Sequence, residues 1–141
     1  MGVKLETVAK LADALPEVAI GTRWGNHTWL VGGHAFVWQR PLSKADVERY
    51  GDAPPPSGDL IAVIVDGLDA KDAMLAMGLP GFFTIPHFDG YAAVLVELRH
   101  ARLADVRAAI AAAHRLAAAR KRKAPKATPR SATPRRPART R

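Results

Sequence analysis

Apolar and polar positions alternate along this chain with two different periods. From Val3 to Leu15, Leu5, Val8, Leu11, Ala12 and Leu15 recur at helical spacing with Lys4, Glu6, Lys10 and Asp13 opposite them, so an amphipathic first helix is predicted. Pro16 ends it, because proline disfavours helical backbone in the residue before it, and Val18 to Thr22 reads as a short strand. Arg23-Trp24-Gly25-Asn26 is a turn, followed by strand-like runs His27 to Val31 and His34 to Gln39 around Gly32-Gly33. A two-residue loop places Val31 opposite His34, Trp29 opposite Phe36 and His27 opposite Trp38. That register gathers Trp29, Phe36 and Trp38 on one face of a hairpin inside a sheet.

After Pro41, Ser43 caps a short helix, with Asp46 three residues on and Gly51 at its end. Asp52 to Gly58 carries Pro54, Pro55 and Pro56 and forms a surface loop. Leu60 to Val65 is wholly apolar and suits a strand covered on both faces. A third helix is expected from a cap at Asp69 to Gly78, with Met74 and Met77 as core filler. Phe82 to Leu98 is the densest stretch: an aromatic pair, the turn Pro86-His87-Phe88-Asp89-Gly90, then a run from Tyr91 to Leu98 read as the central strand. From Leu103, Val106, Ile110, Ala113 and Ala117 mark the stripe of an alanine-rich last helix. The expected class is α+β: a mostly antiparallel sheet backed by N- and C-terminal helices.

Charge divides the chain in two. Arg120, Lys121, Arg122, Lys123, Lys126, Arg130, Arg135, Arg136, Arg139 and Arg141 are ten of the 21 basic residues, and no acid lies among them. The remaining 11 face 13 acids, so residues 1–119 carry a net charge of about −2. Beyond Ala119 nothing bulky is apolar, and burial has nothing to set against the entropy of ordering the chain. The expected organisation is therefore a domain over 1–119 and a disordered Lys/Arg/Pro/Ala-rich tail over 120–141. Cations on such a segment condense on a polyanion by releasing counterions, without reading sequence. All ten are candidate nucleic-acid contacts, and DNA bound nonspecifically is the expected partner.

Other chemistry narrows quickly. The absence of cysteine excludes disulfides, thiolate metal sites and a cysteine nucleophile, and fits a reducing compartment. The opening residues lack a signal peptide's apolar core, Glu6 displaces the hydroxyl residue of a myristoylation signal, and no stretch reaches membrane-spanning length. A soluble cytoplasmic protein, associated with the nucleoid through its tail, is expected. His27, His34 and His87 lack the close ligand spacing of zinc sites, so no metal and no cofactor are expected. Ser43, Ser57 and Ser131 sit in no nucleophile elbow. His87 with Asp89 is the one conceivable acid/base pair, and side-chain bonds holding the turn are the simpler use of both. No catalysis is expected, and an enzyme using His87 and Asp89 ranks as the third reading. The competing reading is a small-ligand or protein-binding module using the Pro86–Tyr91 turn and the Trp29/Phe36/Trp38 face. Its ligand-facing candidates are Trp24, Trp29, Trp38, His87, Asp89 and Tyr91.

Several segments together resemble the MmcQ/YjbR family of small bacterial proteins. They are Ala14-Leu15-Pro16-Glu17-Val18, Gly21-Thr22-Arg23-Trp24-Gly25, Phe36-Val37-Trp38-Gln39-Arg40-Pro41, Ser43-Lys44-Ala45-Asp46 and, above all, Phe82-Phe83-Thr84-Ile85-Pro86-His87-Phe88-Asp89-Gly90-Tyr91. The resemblance spans about residues 5–118 and implies a frataxin-like antiparallel sheet backed by helices, together with the DNA binding in the family's usual label. Ala92 stands where that family typically has proline, and Ala113-His114 where its closing helix commonly has Ala-Trp. A frataxin-like shape would imply iron handling only with an acidic ridge, and the acids here are dispersed.

Overall fold

The computed structural model describes residues 2–23 and 25–123; for Arg23, Arg122 and Lys123 it describes the backbone alone. Trp24 and residues 124–141, which carry the greater part of the predicted tail, lie outside the described residues. The elements run α1 (Leu5–Asp13), β1 (Ala19–Arg23), β2 (Asn26–Val31), β3 (His34–Gln39), α2 (Lys44–Glu48), β4 (Leu60–Ile64), α3 (Gly67–Ala76), β5 (Phe82–Phe83), β6 (Ala93–Glu97) and α4 (Leu103–Lys123). Six strands form one sheet in the order β1-β2-β3-β4-β6-β5, and every pairing is antiparallel. The α+β class with N- and C-terminal helices is as the hydrophobic periodicity implies. No helix among the described residues is long and apolar enough to cross a membrane.

Gly32 and Gly33 both take positive φ, 57° and 82°, as a tight two-residue hairpin turn requires. Val31 pairs with His34 and Leu30 with Ala35, but Trp29 then pairs with Val37 and Thr28 with Trp38. The predicted pairing of Trp29 with Phe36 is thus wrong by one residue, because a bulge between Trp29 and Leu30 leaves Phe36 unopposed. Side chains alternate along a strand, so the slip sends Trp29 and Trp38 to opposite faces of the sheet. The single aromatic face predicted from Trp29, Phe36 and Trp38 is therefore divided, although all three rings are buried.

One face of the sheet is closed by α1 and α4. There Trp29 donates its Nε1–H to Asp13 Oδ1 at 3.1 Å, and Phe36 meets His114 edge to face at 5.4 Å. Val106, Ile110, Ala113 and Ala117, the predicted stripe of α4, are all buried, as are Val8 and Ala12 of α1. His114 is also buried and donates Nε2–H to the Pro16 carbonyl at 2.9 Å. It therefore ties α4 to the turn after α1. His114→Ala is expected to cost about 2–3 kcal/mol, from one lost hydrogen bond, an orphaned carbonyl and a lost ring contact. Urea unfolding at unchanged slope should show it.

Every residue of β4 and of β6 is buried, in keeping with apolar runs covered on both faces. β6 lies inside the sheet but is not its centre, because Phe82 and Phe83 pair on its outer side with Val96 and Leu95. α3 starts two residues before the predicted cap, with Asp66 as its N-cap and Asp69 in its first turn. Met74 packs against the core, whereas Met77 is exposed, so only one of the two methionines fills it.

α2 begins as predicted. Asp46 accepts from the Ser43 N–H at 2.9 Å while the Asp46 N–H donates to Ser43 Oγ at 3.1 Å, a complete capping box. Arg40 and Arg49 each donate to the same buried carboxylate at 3.2 Å. Burial pushes the Asp46 pKa up, but the bonds from Ser43 and the Arg40 guanidinium outweigh it and hold it below 3.8. Glu97 behaves alike: burial raises it, the Ser57 N–H, Arg99 and His100 pull it down, and it ends below 4.5. Depressed carboxylates add stability that is present above the unfolded-chain pKa and lost as pH falls toward the folded one. Unfolding free energy should therefore fall off in acid below about pH 4.5, and Asp46→Asn should flatten that acid limb.

Candidate functional site

The turn after β5 is fixed by local chemistry. Pro86 supplies a preset φ, Gly90 takes φ 76°, and a 3-10 turn over Pro86–Phe88 closes with Phe88 N–H donating to Ile85 O and Asp89 N–H to Pro86 O. Phe88 is buried, and the Tyr91 ring meets it edge to face at 5.3 Å and lies 6.3 Å from Trp38. The turn stands against the sheet face opposite α1 and α4, since Trp38 pairs with Thr28 on that side.

Lys71 of α3, which the sequence reading did not single out, secures this turn. It is buried, and its ammonium donates to the Phe88 carbonyl at 2.6 Å and the Tyr91 carbonyl at 2.9 Å. Burial lowers its pKa, and Asp89 and Asp72 only partly offset that. One signal was available: Lys71 lies three and four residues before Met74 and Leu75, and so on the face of α3 that packs on the core.

The predicted ligand-facing residues separate. Trp29 and Trp38 are 3% and 5% exposed and belong to the core. Their periodicity was read through a hairpin without the bulge. His87 and Asp89 are exposed, no hydrogen bond joins them, and Lys71 rather than either side chain holds the turn. Tyr91, 44% exposed, does face solvent. Trp24 lies outside the described residues.

Beside Tyr91 an open cleft of about 490 Å³ is lined by Thr22, Thr28, Leu30, His34, Tyr91 and Arg120. Its rim is where the cations begin. α4 runs through Lys123, so Arg120 to Lys123, predicted to start the tail, form the last turn of a helix. Arg120 and Lys121 are exposed, and Lys121 Nζ donates to Glu17 Oε1 at 2.9 Å. The Lys121 stem crosses the β2–β3 turn, where a Cβ on Gly32 would fall 2.6–2.9 Å from it. Only glycine leaves that room, so the hairpin turn also seats the basic end of α4. Lys126, Arg130, Arg135, Arg136, Arg139 and Arg141 lie outside the described residues. Among the described residues no three His, Asp or Glu side chains stand close enough to hold a metal ion.

The molecule is thus an α+β protein with a six-stranded antiparallel sheet, two helices on one face and a lysine-clamped turn on the other. Uncharacterized protein Mb2600 of Mycobacterium bovis is 40% identical to it over 103 residues, which make up 72% of this chain and 78% of that protein. Uncharacterized protein Rv2570 of Mycobacterium tuberculosis matches with the same identity over the same shares. The chain belongs to the family of these mycobacterial proteins. No family model matches it, and no solved structure matches it.

Proposed function

We propose that the protein binds nucleic acid without sequence preference, through the cationic stretch from Arg120 to Arg141. One observation carries this reading: ten basic residues follow Ala119 with no acid among them, and the first of them leave the fold as an exposed helical turn at the rim of the Tyr91 cleft. Phosphates are drawn to such a stretch by counterion release, whatever the base sequence. The body, at about −2, adds no attraction of its own. The resemblance of Phe82 to Tyr91 to the MmcQ/YjbR family, usually labelled DNA-binding, supports the same reading, and we place the chain there on it. Association with the nucleoid in the cytoplasm follows from the same chemistry.

Fluorescence anisotropy with two labelled duplexes of unrelated sequence tests it. Equal affinities for the two are expected, and a chain ending at Ala119 should bind neither. Equal binding by the shortened chain would refute the assignment to the cationic stretch.

A further inference from the structure

A second cleft, also of about 490 Å³, lies at the far edge of the sheet, between the Pro54–Pro56 loop and the β5–β6 edge. Its size is that of small-molecule pockets. Glu97, the last residue of β6, forms its polar floor and is buried. Its carboxylate is already engaged by three donors: the Ser57 N–H at 2.9 Å and Arg99 Nε at 3.1 Å on one oxygen, and His100 Nδ1 at 2.8 Å on the other. Arg99 and His100, two and three residues further on, are thereby held with side chains 55% and 57% exposed.

What remains free decides the ligand. Glu97 occupies only Nε of Arg99 and Nδ1 of His100, so the terminal amino groups of Arg99 are left over, as is the Nε2 of His100, which carries an N–H of its own only in the imidazolium; no acceptor among the described residues takes any of them. A cation would find Glu97 already taken by three N–H donors. An anion would find a guanidinium fork aimed by its own anchored Nε, the geometry that suits carboxylate and phosphate oxygens. Tyr50, whose hydroxyl is kept protonated by burial and by the negative charges of Asp46 and Glu97, borders the same space. So does Thr84, whose buried hydroxyl meets no partner among the described residues. The rest of the wall is three prolines, two phenylalanines and Gly81, which offers an apolar body a place to lie.

We propose that this cleft is a binding site for a small organic anion, a carboxylate or phosphate on an apolar body, gripped by Arg99 and by His100 as imidazolium, both of which Glu97 orients. It is separate from the Tyr91 cleft and independent of the nucleic-acid reading.

Calorimetric titration of the full chain with benzoate, phenyl phosphate, inorganic phosphate and benzylammonium tests it, with Arg99→Gln alongside. The variant keeps the cationic tail, so loss of binding isolates the cleft. One saturable site for benzoate or phenyl phosphate at millimolar concentration is expected, weakened about tenfold or more by Arg99→Gln, whose melting curve should still show a cooperative fold. Which of the two binds tells whether the group is carboxylate or phosphate. Should Arg99→Gln unfold, resonance shifts of the His100 ring in the unaltered chain serve instead: they should saturate with the heat, and a His100 ring that does not move would overturn the proposal. Saturable binding unchanged by Arg99→Gln, equal binding of benzylammonium, or inorganic phosphate binding as tightly as phenyl phosphate would overturn the proposal. So would no saturable binding of any of the anions.

Discussion

Replacing Lys71 with methionine is expected to lower the unfolding free energy by about 3 kcal/mol. The lysine is buried and spends its charge on two backbone carbonyls, those of Phe88 and Tyr91. A hydrogen bond from a charged group is worth about 1.5–3 kcal/mol, and methionine fills the stem's volume without offering a donor. Both carbonyls would be left without that donor. Against this stands the relief of no longer burying an ammonium, which burial already disfavours enough to lower its pKa. The lost bonds outweigh the relief because the geometry is short and doubly satisfied. Denaturant unfolding checks the total, and faster proteolysis across 86–91 in the variant would place the loss at the turn. A change below about 1 kcal/mol would mean that desolvation cancels the bonds.

The larger effect concerns nucleic-acid affinity. With Lys126, Arg130, Arg135, Arg136, Arg139 and Arg141 changed to glutamine in the full chain, four of the ten cations remain, all on the last turn of α4. Contacts with six to ten phosphates account for about 10³–10⁵ in affinity between low and moderate salt, so loss of six should weaken duplex binding at least about 100-fold at low salt. Lys121 is partly committed to Glu17, but an exposed ion pair is worth only about 0–1 kcal/mol and does not withhold it from a phosphate. Anisotropy titration of the two proteins under identical salt measures the difference.

Most of the fold was legible because its elements obey simple periods. α1, α4 and the apolar strands β4 and β6 bury the residues their spacing marks, and the Ser43–Asp46 box starts α2 where the side chains can cap it. What was misread depends on contacts distant in sequence. The bulge at Phe36 cannot be seen from the loop that sets the hairpin's first pairs, and one extra residue was enough to part Trp29 from Trp38. β5 is two residues long and carries no period at all, so β6 was taken for the centre of the sheet. The end of α4 was placed too early because the change from alanine to arginine and lysine alters charge but hardly alters helix propensity. At the candidate sites, Tyr91, Arg120 and Lys121 were readable as exposed chemistry, whereas Lys71 and the Glu97-Arg99-His100 cluster were not. Their roles arise from a carbonyl 17 residues away in one case and a backbone N–H 40 residues away in the other.

The central claim is that cations after Ala119 hold nucleic acid by displacing counterions. It is tested most directly by the slope of log affinity against log salt for one duplex, measured on the full chain and on the six-glutamine variant. Each phosphate neutralised contributes about 0.9 to that slope, so the variant's should be shallower by up to about five. Equal slopes for the two proteins would contradict the account.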